Sequence, residues 1–392
     1  MPKPHDLSRS PVAFDQSITL VVVIEMSQSS WLVGGTIPGI ERDPQKKQCP
    51  DAEALLKLLY RWRDEATTAG RMIKRICVSY EAGRDGFWLA RWLLAHDIEA
   101  YVIHPTSIPV KREHRRAKTD RLDIALLKRA FLGWLRGEPD HCSMAAIPTL
   151  AEEDAKRPNR ERENLVSEQT RIVNRMKSTL VRLGIRNFNV KLRKAAEHLQ
   201  SLRTAEGEPL PPNTLAELER DLERRSIVIG QIRKIESERL ERLRRTPEER
   251  GHRMVRLLVQ IVGLGVETAD MLVTEILSRN LRDHRAVARY AGLTGSPDES
   301  GRKRREKGLA KAGNSRVRHG MIQLAWRFLH FQPDSALAKW YQERTVSGRA
   351  DTRKTMIVAL AHKLLIALWR YATAGLAPEG VTLRPARETA QM

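Results

Sequence analysis

Four carboxylates in the N-terminal part of the chain are placed to do chemistry together, two of them where a charge is costly. Glu25 closes the apolar run VVVIE (21–25), and Glu81 closes ICVSYE (76–81). Asp120 and Asp123 lie three residues apart at the start of a predicted helix, hence on one face of it. A carboxylate ending a buried apolar strand must be paired or bind a cation. In open α/β sheets, the carboxyl ends of the strands are where sites form. Together Glu25, Glu81, Asp120 and Asp123 could hold one or two Mg2+ (or Mn2+) ions, which bind through few carboxylates plus substrate phosphates. Two such ions, ~4 Å apart, would clamp the attacking and leaving oxygens of a phosphodiester. Singly, each acid has a plainer reading, since aspartates favour helix N-termini and glutamates commonly end surface strands.

Basic and small residues further along suit the same chemistry. The segment KREHRRAKTDRLD (111–123) delivers positive charge into the aspartate pair, and Lys118 could touch a phosphate held there. Lys111 to Arg116 read equally well as a solvated cationic loop. In VQIVGLGVETADMLVTEI (259–276), Gly263 and Gly265 form a tight Gly-X-Gly turn between two short helices, with Thr268 and Ala269 beginning the second. Backbone N–H groups exposed at such a turn can take a phosphate, although glycine is also a common helix stop. In PDESGRKRREKG (297–308), Ser300 is followed by Arg302, Lys303, Arg304, Arg305 and Lys307, then by Lys311, Asn314 and Arg316 in KAGNSRVRHG (311–320). A serine hydroxyl is a poor nucleophile unless its proton has somewhere to go, and arginine or lysine around the phosphoryl oxygens would stabilise the developing charge. A basic surface loop containing a serine is the plainer alternative. Ser296 and Ser315 compete locally, as do Tyr290 and Tyr341, around which the sequence offers no Arg/His framework.

The elements positioning these groups are legible in part. Residues 17–27 read as a strand buried on both faces, with 30–37 as its hairpin partner. Residues 51–66 read as a helix capped by Asp51, 74–81 as a strand, 86–97 as a helix and 98–105 as a strand. Strand, helix, strand with short joins predicts a parallel pair. A helix at 119–135 follows, with Thr119 as its cap. Near Ala151 the chain becomes charged and helical. Leu165, Ile172, Met176, Leu180 and Leu183 mark one stripe. Leu215, Leu222, Ile229 and Leu243 mark another on a seven-residue step broken at Glu236. These predict an antiparallel coiled coil joined by a Gly/Pro-containing section (184–212), with two ordinary surface helices as the alternative. Beyond 252 the chain reads as mostly helical, interrupted by a basic loop at 295–312 and by SGRADTR (347–353).

The 392 residues carry 69 basic against 48 acidic side chains, a net charge of +21, with a pI near 10.3. Charge of that sign predicts a polyanionic partner. The longest uninterrupted apolar runs, such as LVVVI (20–24), are far short of a membrane span. MPKPHDLSRSP has no apolar core or cleavage site, so no secretory signal is expected. Cys49, Cys77 and Cys142 form neither a zinc pattern nor a disulfide framework, which suits a reducing cytoplasm.

The assembled residues resemble the DEDD transposases of the IS-one-ten insertion-sequence group, the bridge-RNA-guided recombinases, over nearly the whole chain. The likeness rests on the acid ending the first strand, YEAGRDGFWLARWL, AKTDRLDIALLKRAF, IVGLGVETADMLVTEI and YAGLTGSPDESGRKRREKGLAKAGNSRVRHGMIQLAW. It implies an α/β RNase H-like (RuvC-like) domain at 1–145, a coiled-coil dimerisation region at 151–250, and a mainly α transposase domain at 251–392 with a helix-hairpin-helix-like segment. It implies Glu25, Glu81, Asp120 and Asp123 as metal ligands and Ser300 as nucleophile. Its partners would be donor and target double-stranded DNA and a structured guide RNA. It implies a homodimer assembling to a tetramer, in a prokaryotic cytoplasm at the nucleoid. A RuvC-like junction nuclease using metal-activated water alone is the competing enzyme, and a non-catalytic nucleic-acid scaffold the competing non-enzyme. Two positions depart from the family pattern. Glu25 stands where the family has Asp, and His104-Pro105 where it has Asn-Pro.

Overall fold

The computed structural model describes residue 10 and residues 12–83, 86–108, 120–138, 141–192, 194–300, 303–309, 313–346 and 350–385. The chain divides into two units, Met1–Glu152 and Glu153–Met392. Thr119, Lys118, Lys111 to Arg116, Arg302 and Lys311 lie outside the described residues.

The first unit contains, in chain order, β1 (Thr19–Met26), β2 (Trp31–Thr36), β3 (Gln45–Gln48), α1 (Ala52–Thr68), β4 (Arg75–Glu81), α2 (Trp88–Leu94), β5 (Glu99–Ile103), α3 (Asp120–Leu135) and β6 (Met144–Ala145). The strands form one sheet in the order β3-β2-β1-β4-β5-β6. β1 and β2 are an antiparallel hairpin, while β1, β4 and β5 run parallel, as the short joins predict. Asp51 caps α1, its carboxylate accepting from the N–H groups of Glu53 and Ala54. The edge strands β3 and β6 were not foreseen: one is QKKQ and the other two residues long, neither with an apolar run to announce it.

Alternation along β1 builds the layers. Leu20, Val22 and Ile24 pack with Leu55, Leu59 and Trp62 of α1 and Leu89 and Leu93 of α2. Val21 and Val23 face the other way, packing with Cys77, Ile103 and the α3 residues Ile124, Leu127, Phe131 and Trp134. Each such burial removes an aliphatic side chain from water for about 1.5–3 kcal/mol. Two glycines let the layers close. A Cβ on Gly34 would fall 2.7 Å from Ile124 of α3, and one on Gly35 would fall 2.7 Å from the Trp62 ring.

The second unit begins within α4 (Leu150–Asp154) and continues with α5 (Arg157–Arg182), α6 (Ala195–Gln200) and α7 (Pro212–Arg245). α5 and α7 pack antiparallel, with Arg162 bonded to Glu236 and Arg175 to Asp221. The inner face of α7 is Leu218, Asp221, Val228, Ile232, Ile235, Arg239 and Leu243. Of the predicted stripe, Leu243 lies on this face, Leu215 and Leu222 pack at its margin, and Ile229 is half-buried.

Next come α8 (Arg250–Val259), α9 (Val266–Leu272), a π-helical turn (Val273–Leu277), α10 (His284–Ala291), β7 (Gly295–Ser300), β8 (Lys303–Leu309), α11 (Ser315–Phe331), α12 (Ala336–Thr345) and α13 (Ala350–Ala374). The segment expected to be a basic loop is instead a two-stranded antiparallel ribbon. Its register sets Asp298 opposite Arg305 and Glu299 opposite Arg304. The stretch Thr352–Ala374 is long and apolar enough to cross a bilayer by length and composition. In the fold, its Leu360, Leu364, Leu365 and Leu368 are fully buried in the core of the unit.

Gly35→Ala is expected to destabilise the first unit by about 1–3 kcal/mol through overpacking against Trp62. A lower urea midpoint at unchanged m-value would register it, and an unchanged midpoint would contradict this packing.

Candidate functional site

In the first unit, the site is the carboxyl end of β1 and β4. The β1–β4 register pairs Ile24 with Tyr80, which sets Glu25 and Glu81 at the next positions of adjacent parallel strands. Alternation places both on the face that carries Val21, Val23 and Cys77, the face covered by α3. α3 runs antiparallel to β1. Ile124 lies over Gly34 and Val23 near the carboxyl end, and Arg136 reaches Gln16, which precedes the strand. Asp120 opens α3 and Asp123 follows one turn later, half-buried. The fold therefore brings all four predicted acids to one end of the sheet. Glu25 is half-buried and Glu81 exposed, and both have interaction partners. An all-oxygen donor set fits Mg2+ or Mn2+. Among the described residues, no three His, Cys, Asp or Glu side chains already converge as ligands.

The two buried thiols, Cys77 and Cys142, offer no competing nucleophile. Burial pushes Cys77 and Cys142 up to about 12, so both are protonated at neutral pH.

In the second unit, Ser300 ends β7 opposite Lys303, and Arg304, Arg305 and Lys307 follow on β8. Upstream, Gly263 (φ +90°) turns the chain between α8 and α9, and a Cβ there would fall 2.7 Å from Phe331. Gly265 caps α9, which starts at Val266 rather than at Thr268. The turn is braced by Gln332, which donates to the Val262 and Thr382 carbonyls at 2.9 Å, and by Arg384, which bonds to the Val259 carbonyl. Arg316 pairs with Glu163 of α5 at 2.8 Å. Asn314 caps α11 and donates to Glu275. Tyr290 does have an arginine that its sequence surroundings did not reveal: Arg279 donates to its hydroxyl at 2.8 Å and lies 4.6 Å over its ring. Tyr341 is buried, and desolvation raises its hydroxyl above the ordinary range.

A chain of ion pairs, buried at Arg239 and Glu275 and half-buried at their partners, was unforeseen from sequence and ties the helix pair to this region. Arg239 is 1% exposed and bonds to Glu267, with its Nε 3.0 Å from Asp270 and its Nη2 donating to Asn159. Arg162 bridges Glu236 (2.7 Å) and Glu267 (3.0 Å). Arg160 holds Glu275. Burial alone would push the Glu275 carboxyl up, but Arg160 and Asn314 outweigh it and hold it below the ordinary glutamate value. Desolvation lowers Arg239 against the pull of Asp270. The available signal was charge at inner positions of a 3.5-residue step, Asp221 and Arg239, where apolar residues would be ordinary.

An acid-lined sheet end in one unit and a serine-bearing basic ribbon in the other are parts suited to a protein that works on phosphodiesters. The family model described as "Transposase IS116/IS110/IS902 family" matches residues 255–342, from α8 to α12, including the ribbon. A protein of Sinorhizobium fredii (strain NBRC 101917 / NGR234) named "Putative transposase y4rJ" is 40% identical over 377 residues, covering 93% of this chain and 94% of its own length. On that likeness, the chain belongs to the IS116/IS110/IS902 family of transposases.

Asp221, 1% exposed, accepts from Arg175 (2.8 and 2.5 Å) and Arg224 (2.8 Å), and the Arg175 bonds hold its pKa below the ordinary aspartate value. Its stabilisation is fully present above the unfolded-state value near ~3.9 and is lost as pH falls through the depressed folded value. Urea midpoints of wild type and Asp221→Asn are therefore expected to differ at pH 6 and to converge below about pH 3. A gap that persists in acid would refute the charge pairing.

Proposed function

We propose that this chain is a DNA recombinase of an insertion sequence, guided by an element-encoded structured RNA, that cuts and rejoins DNA through a phosphoserine intermediate. The observation that carries the reading is the pairing, in one chain of this family, of four acids at a sheet end with Ser300 at the end of a strand in a basic ribbon.

Ser300 Oγ attacks a DNA phosphorus. The serine O–P bond forms, one P–O bond of the backbone breaks, and the serine proton passes to the departing DNA oxygen. A hydroxyl of the exchanged strand then attacks the phosphoserine, restoring both the phosphodiester and the serine. Each step trades one phosphate ester for another, so no energy source is consumed. Glu25, Glu81, Asp120 and Asp123 would hold Mg2+ or Mn2+, whose contribution is Lewis-acid stabilisation of the phosphoryl oxygens. Lys118, Arg302, Lys303, Arg304, Arg305, Lys307, Lys311 and Arg316 supply positive charge to nucleic-acid backbones, and the backbone at Gly263 and Gly265 offers N–H donors to a phosphate. Base pairing with the RNA selects donor and target DNA, leaving the protein to read shape and charge.

The sheet order, with its antiparallel hairpin continuing into parallel strands, supports an RNase H-like (RuvC-like) first unit. The 3.5-residue step of buried positions in α5 and α7 supports a coiled coil. Val166, Val181 and Ile227 leave apolar side chains exposed on those helices, in keeping with homodimers that assemble to a tetramer. In that assembly, the acids of one protomer serve the serine of another.

Incubation with element-end DNA, its flanking transcript and Mg2+ should leave a nucleotide attached to Ser300 after nuclease digestion, read by peptide mass mapping. Ser300→Ala should lower adduct and strand joining by about 10³-fold or more. Cleavage that survives Ser300→Ala without any adduct would instead identify a metal-dependent junction nuclease.

A further inference from the structure

We infer that Glu275 is a positioning residue for the serine ribbon and acts on it through Asn314. The inference rests on the proposed role of Ser300.

Glu275 lies in the π-helical turn Val273–Leu277 with its carboxylate 1% exposed. Burying an ionised carboxylate is costly unless its oxygens are well matched, and π-turns within helices are frequent at functional sites. Arg160 of α5 donates to Oε1 at 3.0 Å and to Oε2 at 3.3 Å. Asn314 Nδ2 donates to Oε2 at 3.0 Å. The other end of the Asn314 amide caps α11, its Oδ1 accepting from Arg316 N–H (3.0 Å) and Val317 N–H (3.3 Å). Capping alone does not explain asparagine, because aspartate or serine caps about as well. What aspartate and serine cannot both do is cap α11 and donate a hydrogen bond to an ionised carboxylate in the same geometry. Of these residues, only asparagine carries an acceptor and an NH2 donor on one short rigid group.

Asn314 also stands at the base of the ribbon. Its backbone N–H donates to the Tyr290 carbonyl at 2.6 Å, at the end of α10. Gly313 (φ +82°) lets the chain touch that point, since a Cβ there would fall 2.5 Å from the Tyr290 carbonyl and 2.6 Å from that of Arg289. α10 ends at Gly292 (φ +65°), and β7 begins at Gly295. The chain thus leaves the body of the unit after α10 and is back against the same point at Gly313, and among the described residues the ribbon has no third strand to steady it. At about 3.3 Å per residue, a strand of this length is roughly 20 Å long. A tilt of about 3° at the base therefore moves the far end by about 1 Å, a displacement that can cost about 10²-fold in rate. The Arg160–Glu275–Asn314 chain fixes that tilt, and through Arg160 it references the ribbon to α5.

The test is a donor–acceptor swap. Asn314→Asp keeps the α11 cap but sets two carboxylates against each other. Adding Glu275→Gln restores a donor–acceptor pair with the roles reversed. Adduct formation on Ser300 is followed in single turnover, DNA affinity by titration, and amide hydrogen exchange across 295–309 by mass spectrometry. Asn314→Asp is expected to slow adduct formation about 10- to 100-fold and to speed ribbon exchange, with DNA affinity within about twofold of wild type. The double variant is expected to recover both to within about threefold. A purely capping Asn314 predicts an unaffected Asn314→Asp protein, and that result overturns the inference. So does a folded double variant no better than Asn314→Asp, the comparison that decides the matter if the single variant does not fold. If wild type forms no adduct, the serine reading has failed, and the exchange data still decide whether Glu275 holds the ribbon.

Discussion

A strand buried on both faces resists slipping by one residue when its two layers are close-packed, because each side chain would be set against neighbours shaped for another. β1 is such a strand, and much of the first unit follows from it. Leu20, Val22 and Ile24 belong to the α1 side, while Val21 and Val23 belong to the α3 side. With that register locked, Glu25 has no freedom in where it emerges. β4 is locked beside β1 by the same pairing and carries Glu81 to the neighbouring position. Ile124, seated over Gly34, sets the start of α3 against the same end. Apolar packing thus sets Glu25 and Glu81 side by side and brings the start of α3 to the same end of the sheet.

The second unit relies on a different constraint, the cost of burying charge. Asp221, Arg239 and Glu275 are each 1% exposed, and each is matched by partners on another helix. Apolar residues of similar size would hold the helices together at least as well, so such pairs are weak evidence of stabilisation and better evidence of specified geometry. Arg160, Arg162 and Arg239 make the end of the helix pair a fixed partner of α9 and the π-turn, and Asn314 extends that order to the base of the ribbon. On the proposed reading, the Ser300 nucleophile must be held to within about an ångström while nucleic acid is bound and exchanged. A ribbon clamped at its base is one way to achieve that on a slender support.

The sequence revealed these features unevenly, for physical reasons. VVVIE and ICVSYE declare buried parallel strands by their apolar continuity, and the acids were visible as charges ending them. QKKQ and the two-residue β6 carry no such pattern, so the sheet edges were invisible. PDES and KRRE have no apolar alternation, so a loop was expected. Their pairing is a matter of backbone register, Asp298 against Arg305 and Glu299 against Arg304, which no one-strand pattern encodes. In α7 the apolar step through Leu215, Leu222 and Ile229 drew attention away from the inner face, because Asp221 and Arg239 occupy positions there. Glu275 was hidden for the same reason: in MLVTEI it looks like an ordinary polar edge, and only the fold reveals Arg160 and Asn314 around it.

The central claim is that acids from one protomer and the serine of another serve the same phosphodiester. Subunit mixing tests it most directly, using one preparation of Asp123→Asn chains and one of Ser300→Ala chains, exchanged and then supplied with DNA, RNA and Mg2+. The account predicts that neither preparation joins strands alone and that the mixture does, from sites combining an intact acid end with an intact serine. A mixture that demonstrably exchanges subunits yet stays as inactive as its parents would contradict it.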